Sequence, residues 1–307
     1  MFVINPNEFL LPAFGVTPFR TDDVIKNYNL PEDCYSTKEL DNRFGKDSWR
    51  FTYNGKEAIS FALSHYDLQK NDLVTILTTS QNLYISSCVT LEIERVCNWN
   101  RKILPETKVI LVNHEFGYPY KNMDYLVSLG LPIIEDCCTT FFSQDENNKI
   151  GKYGDFTIYS LPKIFPIQIG GILTSNKSKL SSQQSNLSNI EIQYITNVLS
   201  YNLRKTPQIL NKRNKNFEQG LKLFSRIGFT ERFKKNKAIT PYVMLLKNNS
   251  IIKDLNLFKL FMNKNGIQNS IFYGEDAFFI PNHQSLNFLE IQFIFEVVCF
   301  YLKNNNS

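Results

Sequence analysis

Leu131-Pro132-Ile133-Ile134-Glu135-Asp136-Cys137-Cys138 is a short apolar run that ends in acid. It reads as a buried strand with Asp136 at its carboxyl end. Further along stands Ser160-Leu161-Pro162-Lys163-Ile164-Phe165-Pro166-Ile167-Gln168-Ile169-Gly170-Gly171, in which a lysine is closely followed by paired glycines. A buried carboxylate at a strand end, followed by such a lysine, is a pattern able to hold pyridoxal phosphate (PLP). The amine can form an imine with the aldehyde. The carboxylate can keep the ring nitrogen protonated, so that the ring accepts electrons.

The flanking segments alternate strand and helix signals. Residues 73–77, 95–99, 108–112, 132–136, 156–159 and 171–174 read as strands. Residues 83–94 and 123–129 read as helices, the second closed by Gly130. Continuous apolar strands separated by helices predict a mostly parallel sheet covered on both faces. Ligands of such sheets gather at the carboxyl ends of the strands. Asp136 lies at such an end and Lys163 just past another. The polar stretch 177–189 reads as a connector. Beyond it, 202–224 reads as a helix, 242–246 as a strand, 255–263 as a helix and 266–273 as a turn into a strand. A last helix carries Phe288, Ile291, Phe295, Val298 and Leu302 on one stripe. The expected organisation is a large PLP-binding domain over 1–200, including an N-terminal segment, and a smaller α+β domain over 201–307.

The composition, 43% hydrophobic and 21% charged, suits a soluble globular chain. A net charge of +5 suits an anionic small molecule, without the concentrated basic face that nucleic acid requires. The six cysteines form no Cys-x-x-Cys pair, and His65, His114 and His283 do not cluster with them, which argues against zinc. Cys137 and Cys138 read as core thiols. No basic region followed by an apolar stretch opens the chain, and no apolar run reaches membrane-spanning length. The expectation is a cytosolic protein whose partners include neither nucleic acid nor membrane.

Further landmarks stand in order along the chain. Asn54-Gly55-Lys56-Glu57-Ala58-Ile59 has the form of a Gly-x-x-Ala-Ile/Leu helix start. Val112-Asn113-His114-Glu115-Phe116-Gly117-Tyr118-Pro119 contains His-x-Phe-Gly-x-Pro. Ile133 to Cys138 and the loop from Lys163 to Gly171 follow, with Gly154-Asp155 and Tyr159-Ser160 between them. Tyr201-Asn202-Leu203, Lys212-Arg213-Asn214 and Pro281-Asn282-His283-Gln284-Ser285-Leu286 complete the series. In order and approximate spacing they resemble the DegT/DnrJ/EryC1/StrS family, the PLP-dependent sugar aminotransferases of fold type I. That resemblance implies an α/β three-layer fold with a mostly parallel mixed sheet and a smaller C-terminal α+β domain.

Read with the family, Lys163 is the lysine that forms the imine and shuttles a proton, where the bland alternative is a surface lysine. Asp136 is the partner of the pyridine nitrogen, where the alternative is a helix cap or an arginine's partner. Glu135, its neighbour, points the other way and serves structure. Gly55 and Lys56 open a helix whose unpaired amides suit the cofactor phosphate; Lys56 replaces the family's usual hydroxyl residue. Ser160 is a second phosphate ligand by family position. Asn202 is a third, since its counterpart reaches the phosphate of a neighbouring subunit. Cys138 shares the face of Asp136 and takes the place of an alanine beneath the ring, or is core filler. Thr139 stands where the family has Gln or His near the phenolic oxygen, to which its hydroxyl can donate. Tyr84 is expected to stack on the ring or to serve as core. His114 and His283 match landmarks and read as structural or substrate-side.

The implied activity is transfer of an amino group from glutamate to a nucleotide-linked keto-deoxy sugar, in a homodimer with shared active sites. Two rivals remain. One is a sugar dehydratase on the same fold; those enzymes replace the lysine with histidine, so Lys163 argues against it. The other is a degenerate relative that binds a sugar nucleotide without catalysis, motivated by Lys56 and Thr139.

Overall fold

The computed structural model describes residues 12–177, 179–180 and 186–305. Residues 178 and 181–185 of the expected connector, and 1–11 of the expected N-terminal segment, lie outside the described residues. In chain order the elements are α1 (Asp22–Tyr28), α2 (Tyr35–Phe44), β1 (Trp49–Thr52), α3 (Gly55–Leu63), β2 (Leu73–Thr78), α4 (Ser87–Glu94), β3 (Asn98–Asn100), β4 (Thr107–Asn113), α5 (Met123–Ser128), β5 (Ile133–Asp136), β6 (Phe156–Ser160), β7 (Gly171–Ser175), α6 (Asn189–Leu203), α7 (Thr206–Ser225), β8 (Thr230–Glu231), β9 (Val243–Lys247), α8 (Leu255–Lys264), β10 (Ser270–Ile271), β11 (Ala277–Pro281) and α9 (Phe288–Asn305).

Seven strands form one sheet in the order β1-β7-β6-β5-β4-β2-β3. β2 to β6 run parallel; β7 and β1 are antiparallel to their neighbours. Alternation along each strand gives every apolar pair one residue per face. Val109 and Leu111 of β4 pack beneath α3 and α4 with Ile134 and Leu173. Ile110 and Val112 pack on the other side with Met123 and Leu126 of α5. Ile172 and Tyr159 meet Leu40 of α2 and Ile195 of α6 on that side as well. The sheet is therefore buried on both faces, as its continuous apolar strands predict. A second, antiparallel sheet has the order β10-β11-β9-β8. Its core joins Phe217 and Phe224 of α7, Phe258 of α8 and Val298 of α9 to Met244, Leu246 and Phe278.

Three sequence expectations are corrected. The helix expected from residue 83 starts at Ser87, because Ser86 is extended and its hydroxyl caps the Cys88 amide. The single helix expected over 202–224 is two helices. α6 begins with a capping box between Ser188 and Glu191, and α7 has Pro207 in its first turn, so the backbone breaks at Arg204–Lys205. On α9 the buried stripe is Ile291, Ile294, Val298 and Tyr301, while Phe288 is exposed. No helix among the described residues is long and apolar enough to cross a membrane.

His283 ties the loop after β11 to the N-terminal segment. The Ser285 amide donates to its Nδ1 at 3.2 Å, so its Nε2 carries the proton and donates to the Gly15 carbonyl at 3.0 Å. Burial, with the Arg213 charge behind it, pushes the imidazole down to about 3. The unfolded chain takes up a proton near pH 6.5 and the folded chain does not. This histidine's contribution is thus whole above about pH 6.5 and is lost as the pH falls toward 3, by up to about 1.4 kcal/mol per pH unit. Urea unfolding of His283→Gln is expected to lose less stability than the parent between pH 7 and pH 5. Equal losses contradict this account.

Candidate active site

Strand register gathers the functional residues at one edge of the large sheet. Asn113 ends β4 opposite Asp136, which ends β5. Ser160 ends β6 opposite Gly171, and Gly171 lies opposite Thr52 at the end of β1. The Asp136 carboxylate is buried and held at both oxygens. Oδ2 accepts from Asn113 Nδ2 at 2.6 Å, and Oδ1 accepts from the Cys138 amide at 3.0 Å. Each oxygen keeps a lone pair for a further donor. Glu135 points to the opposite face, as strand alternation requires. It accepts from the amides of Gly151, Tyr153 and Gly154 and from His114 Nε2. His114 Nδ1 in turn accepts from the Tyr120 amide, which fixes the tautomer. His114 and Glu135 are thus structural partners of one another, remote from the Asp136 carboxylate's face of the strand.

After Ser160 the chain makes a one-turn 3₁₀ helix, Leu161–Lys163. Two side chains grip its end. Arg213 Nη2 donates to the carbonyls of Lys163 and Ile164 at 3.3 and 3.1 Å, and Gln284 Nε2 donates to Ile164 at 2.8 Å. Arg213 Nε bonds Gln284 Oε1 at 2.7 Å, closing the clamp. Burial pushes this guanidinium down to about 10. The Lys163 amine makes no hydrogen bond among the described residues and lines a cavity with Tyr84, Asn113, Phe116 and Tyr242. Burial works against its ammonium, but the acidic groups facing it, Cys138 and Asp136 first, carry its pKa upward on balance. Burial also pushes the Cys138 thiol well above its ordinary value. That thiol is therefore uncharged near pH 7, and Asp136 is the anion that holds the lysine charged there.

The start of α3 adjoins Cys138 and Ser160 at the same sheet edge. Asn54 caps it through the Glu57 amide, leaving the amides of Gly55 and Lys56 without partners among the described residues. A Cβ on Gly55 would lie 3.1 Å from Cys138 Sγ and 4.0 Å from Ser160 Oγ, so these three residues adjoin. The Ser160 hydroxyl has no partner among the described residues. A Cβ on Gly171 would lie 2.5 Å from Thr52 Oγ1 and 2.8 Å from the Asn54 carbonyl, which is why β7 must open on glycine. Lys56 lines a surface recess with Glu57, Glu92 and Arg95 and does not line the cavity of Lys163.

Four aromatics line the cavity with Lys163: Tyr84, Phe116, Tyr242 and Phe279. Tyr84 lies in the loop before α4, its ring stacked 6.1 Å from Phe116 and edge-on to Phe272 at 5.3 Å. Burial raises its phenol. Of two further expected ligands, Thr139 lines the cavity, and Asn202, expected to serve a neighbouring subunit, does not line the cavity of its own chain. The Thr139 hydroxyl donates to the His114 carbonyl at 2.9 Å and accepts from the Gly117 amide at 3.2 Å. Its single hydrogen is thus spent on the turn at Phe116–Gly117 and is not offered to a ligand oxygen. Asn202 is buried on α6, donates to Val198 of its own helix at 2.7 Å, and does not line the cavity. The sequence reading passed over Asn113 and Tyr242, both of which line the cavity.

The sequence profile of the DegT/DnrJ/EryC1/StrS aminotransferase family matches residues 89–286. The chain belongs to this family. Among solved structures it is similar to the aminotransferase TlmJ from Streptoalloteichus hindustanus, at TM-score 0.73 and 14% identity, over 94% of this chain and 99% of that one. Spr1654 from Streptococcus pneumoniae in its PLP form gives 0.68 and 14%, over 95% and 97%. PseC from Helicobacter pylori, an aminotransferase of pseudoaminic acid biosynthesis, gives 0.69 and 14%, over 94% and 99%. At such identities the likeness shows the fold, an α/β three-layer arrangement shared with DegT/DnrJ/EryC1/StrS aminotransferases. No curated protein sequence matches the chain significantly.

Proposed function

We propose that the chain is a PLP-dependent aminotransferase that moves an amino group from glutamate to a nucleotide-linked keto-deoxy sugar. The observation that carries the reading is the Lys163 amine, unbonded and open to the cavity, with Asp136 as the anion that holds it charged. The residues around them fit the cofactor. Two helix amides and the Ser160 hydroxyl, without partners among the described residues, suit a phosphate group. Asp136, held at both oxygens, has capacity left for a protonated ring nitrogen. Cys138 would lie beneath the ring and Tyr84 above it, and Lys163 would carry the aldehyde. When bound, PLP supplies an electron sink for the pair left behind as a carbon–hydrogen bond ionises.

The chain's own part is positional and protonic. The Asp136 carboxylate stabilises positive charge at the nitrogen it faces, since opposite charge favours the ionised form. Once Asp136 faces the cofactor nitrogen, the Lys163 Nζ loses that support, and as the free amine it takes the proton from the substrate carbon and returns it elsewhere. The Arg213–Gln284 clamp fixes the turn from which that amine projects. The unpaired α3 amides and the dipole behind them hold an anion. The reading also takes a second copy to complete the site, a domain boundary near residue 200, and a cytosolic location, which the six free thiols favour. The place of Lys56 outside the cavity and the engaged Thr139 hydroxyl favour a second reading, a relative that binds without catalysis. One spectrum separates the two. Purified protein given PLP is expected to show an absorbance band near the visible edge that borohydride bleaches, leaving the mass of the adduct on the Lys163 peptide. Protein that stays colourless refutes the enzyme reading.

A further inference from the structure

The cavity holds one group that the proposed reaction has not used. Tyr242 stands just before β9 with its ring buried, yet its hydroxyl makes no hydrogen bond among the described residues and is not sealed in the core. It opens on the cavity that Lys163 lines. The backbone enforces this position. The Tyr242 amide donates to the Phe116 carbonyl at 2.8 Å. Gly117, at φ +95°, lets the segment pass: a Cβ there would lie 2.4 Å from the Thr240 carbonyl and 3.2 Å from the Tyr242 amide. Burial raises the phenol on balance, and the two cations facing it, Lys163 and Arg213, pull it back. The phenol is therefore a neutral donor near pH 7, set beside the ammonium.

We propose that Tyr242 is a further catalytic residue, whose phenolic O–H donates a hydrogen bond to the carbonyl oxygen of the keto acceptor. The inference rests on the proposed amino transfer. Lys163 must reach the carbon whose proton it moves, and the keto oxygen is bonded to that same carbon. A donor beside Lys163 in the same cavity therefore meets that oxygen. As the carbon–nitrogen bond forms, the carbonyl π pair moves onto oxygen. The incoming nitrogen sheds one proton and the oxygen gains one. Tyr242 stabilises the developing charge without itself ionising.

Tyr242→Phe deletes only the O–H and loses no hydrogen bond to the described residues. Parent and variant would be titrated with PLP, then reacted with glutamate, then with a panel of 3-keto and 4-keto 6-deoxyhexoses linked to nucleoside diphosphates. The variant is expected to match the parent in PLP affinity and, within about twofold, in the first spectral phase with glutamate, the loss of the carbon-bound proton, which precedes any carbonyl oxygen. Its step with the keto sugar is expected to slow by about a hundredfold. Calorimetry with the matching alcohol, which carries a hydroxyl at the reacting carbon, should show binding weakened by about tenfold. An unchanged keto-sugar step overturns the proposal. Equal slowing of the first glutamate phase, or weaker PLP uptake, also overturns it, because the phenol then serves the cofactor. A parent protein that takes up no PLP, or aminates none of the panel, sinks the parent reading itself, and the parent's own traces tell that failure from the variant's.

Discussion

Lys163→Ala is expected to abolish amino transfer, by at least about 10⁴-fold, and Asp136→Asn to slow it by about 10³-fold. Among the described residues that line the cavity, Lys163 offers the one amine. Alanine removes both the covalent anchor and the proton carrier. Asparagine keeps the shape of Asp136 but removes its charge and spoils its fit. Both carboxylate oxygens accept from fixed donors, Asn113 Nδ2 and the Cys138 amide, so an amide side chain must turn its own NH₂ toward one of them. The lysine should feel the change too. Burial disfavours its ammonium and Asp136 supports it, so the pH at which the cofactor-free lysine becomes open to acylation should fall in Asp136→Asn. Turnover within tenfold of the parent for either variant would remove the pair from the mechanism.

The large sheet was legible because its strands are buried on both faces and so read as unbroken apolar runs. Asp136 and Lys163 were legible for a related reason: a charge at the end of such a run has no packing role to explain it. What escaped depends on contacts between distant segments. Tyr242 stands just before a strand of the second sheet and reaches the cavity through the approach that Gly117 permits, and no local pattern announces that. Asn113 carries no charge, and its value lies in being in register with Asp136. The break between α6 and α7 was readable, since Pro207 has no N–H for the Leu203 carbonyl and its ring clashes with that carbonyl in a continuous helix. Thr139 was assigned from its place in the chain, but the carbonyl that claims its hydrogen, His114, lies on another strand's end.

The opposite pattern, large loss of stability with the cavity chemistry spared, is expected at Glu135. Its carboxylate is wholly buried and receives four donors: the Gly151 and His114 N–H groups at Oε2, the Tyr153 and Gly154 amides at Oε1. The loop that brings those amides in is built for the approach. Gly151 is at φ +82° with the Tyr159 hydroxyl 2.4 Å from where a Cβ would stand, and a Cβ on Gly154 would lie 2.6 Å from the Ile133 carbonyl. Glu135→Gln is isosteric, yet either orientation of its amide sets an NH₂ against two donors. Removing one partner of such a buried cluster costs about 3–5 kcal/mol, a large part of the roughly 5–15 kcal/mol that a folded domain has. Thermal unfolding should therefore drop by about 10 °C, while the fraction still folded binds PLP with the parent's spectrum, because Glu135 faces away from Asp136. A variant with unchanged melting but a shifted spectrum would reverse the roles of these two neighbouring acids.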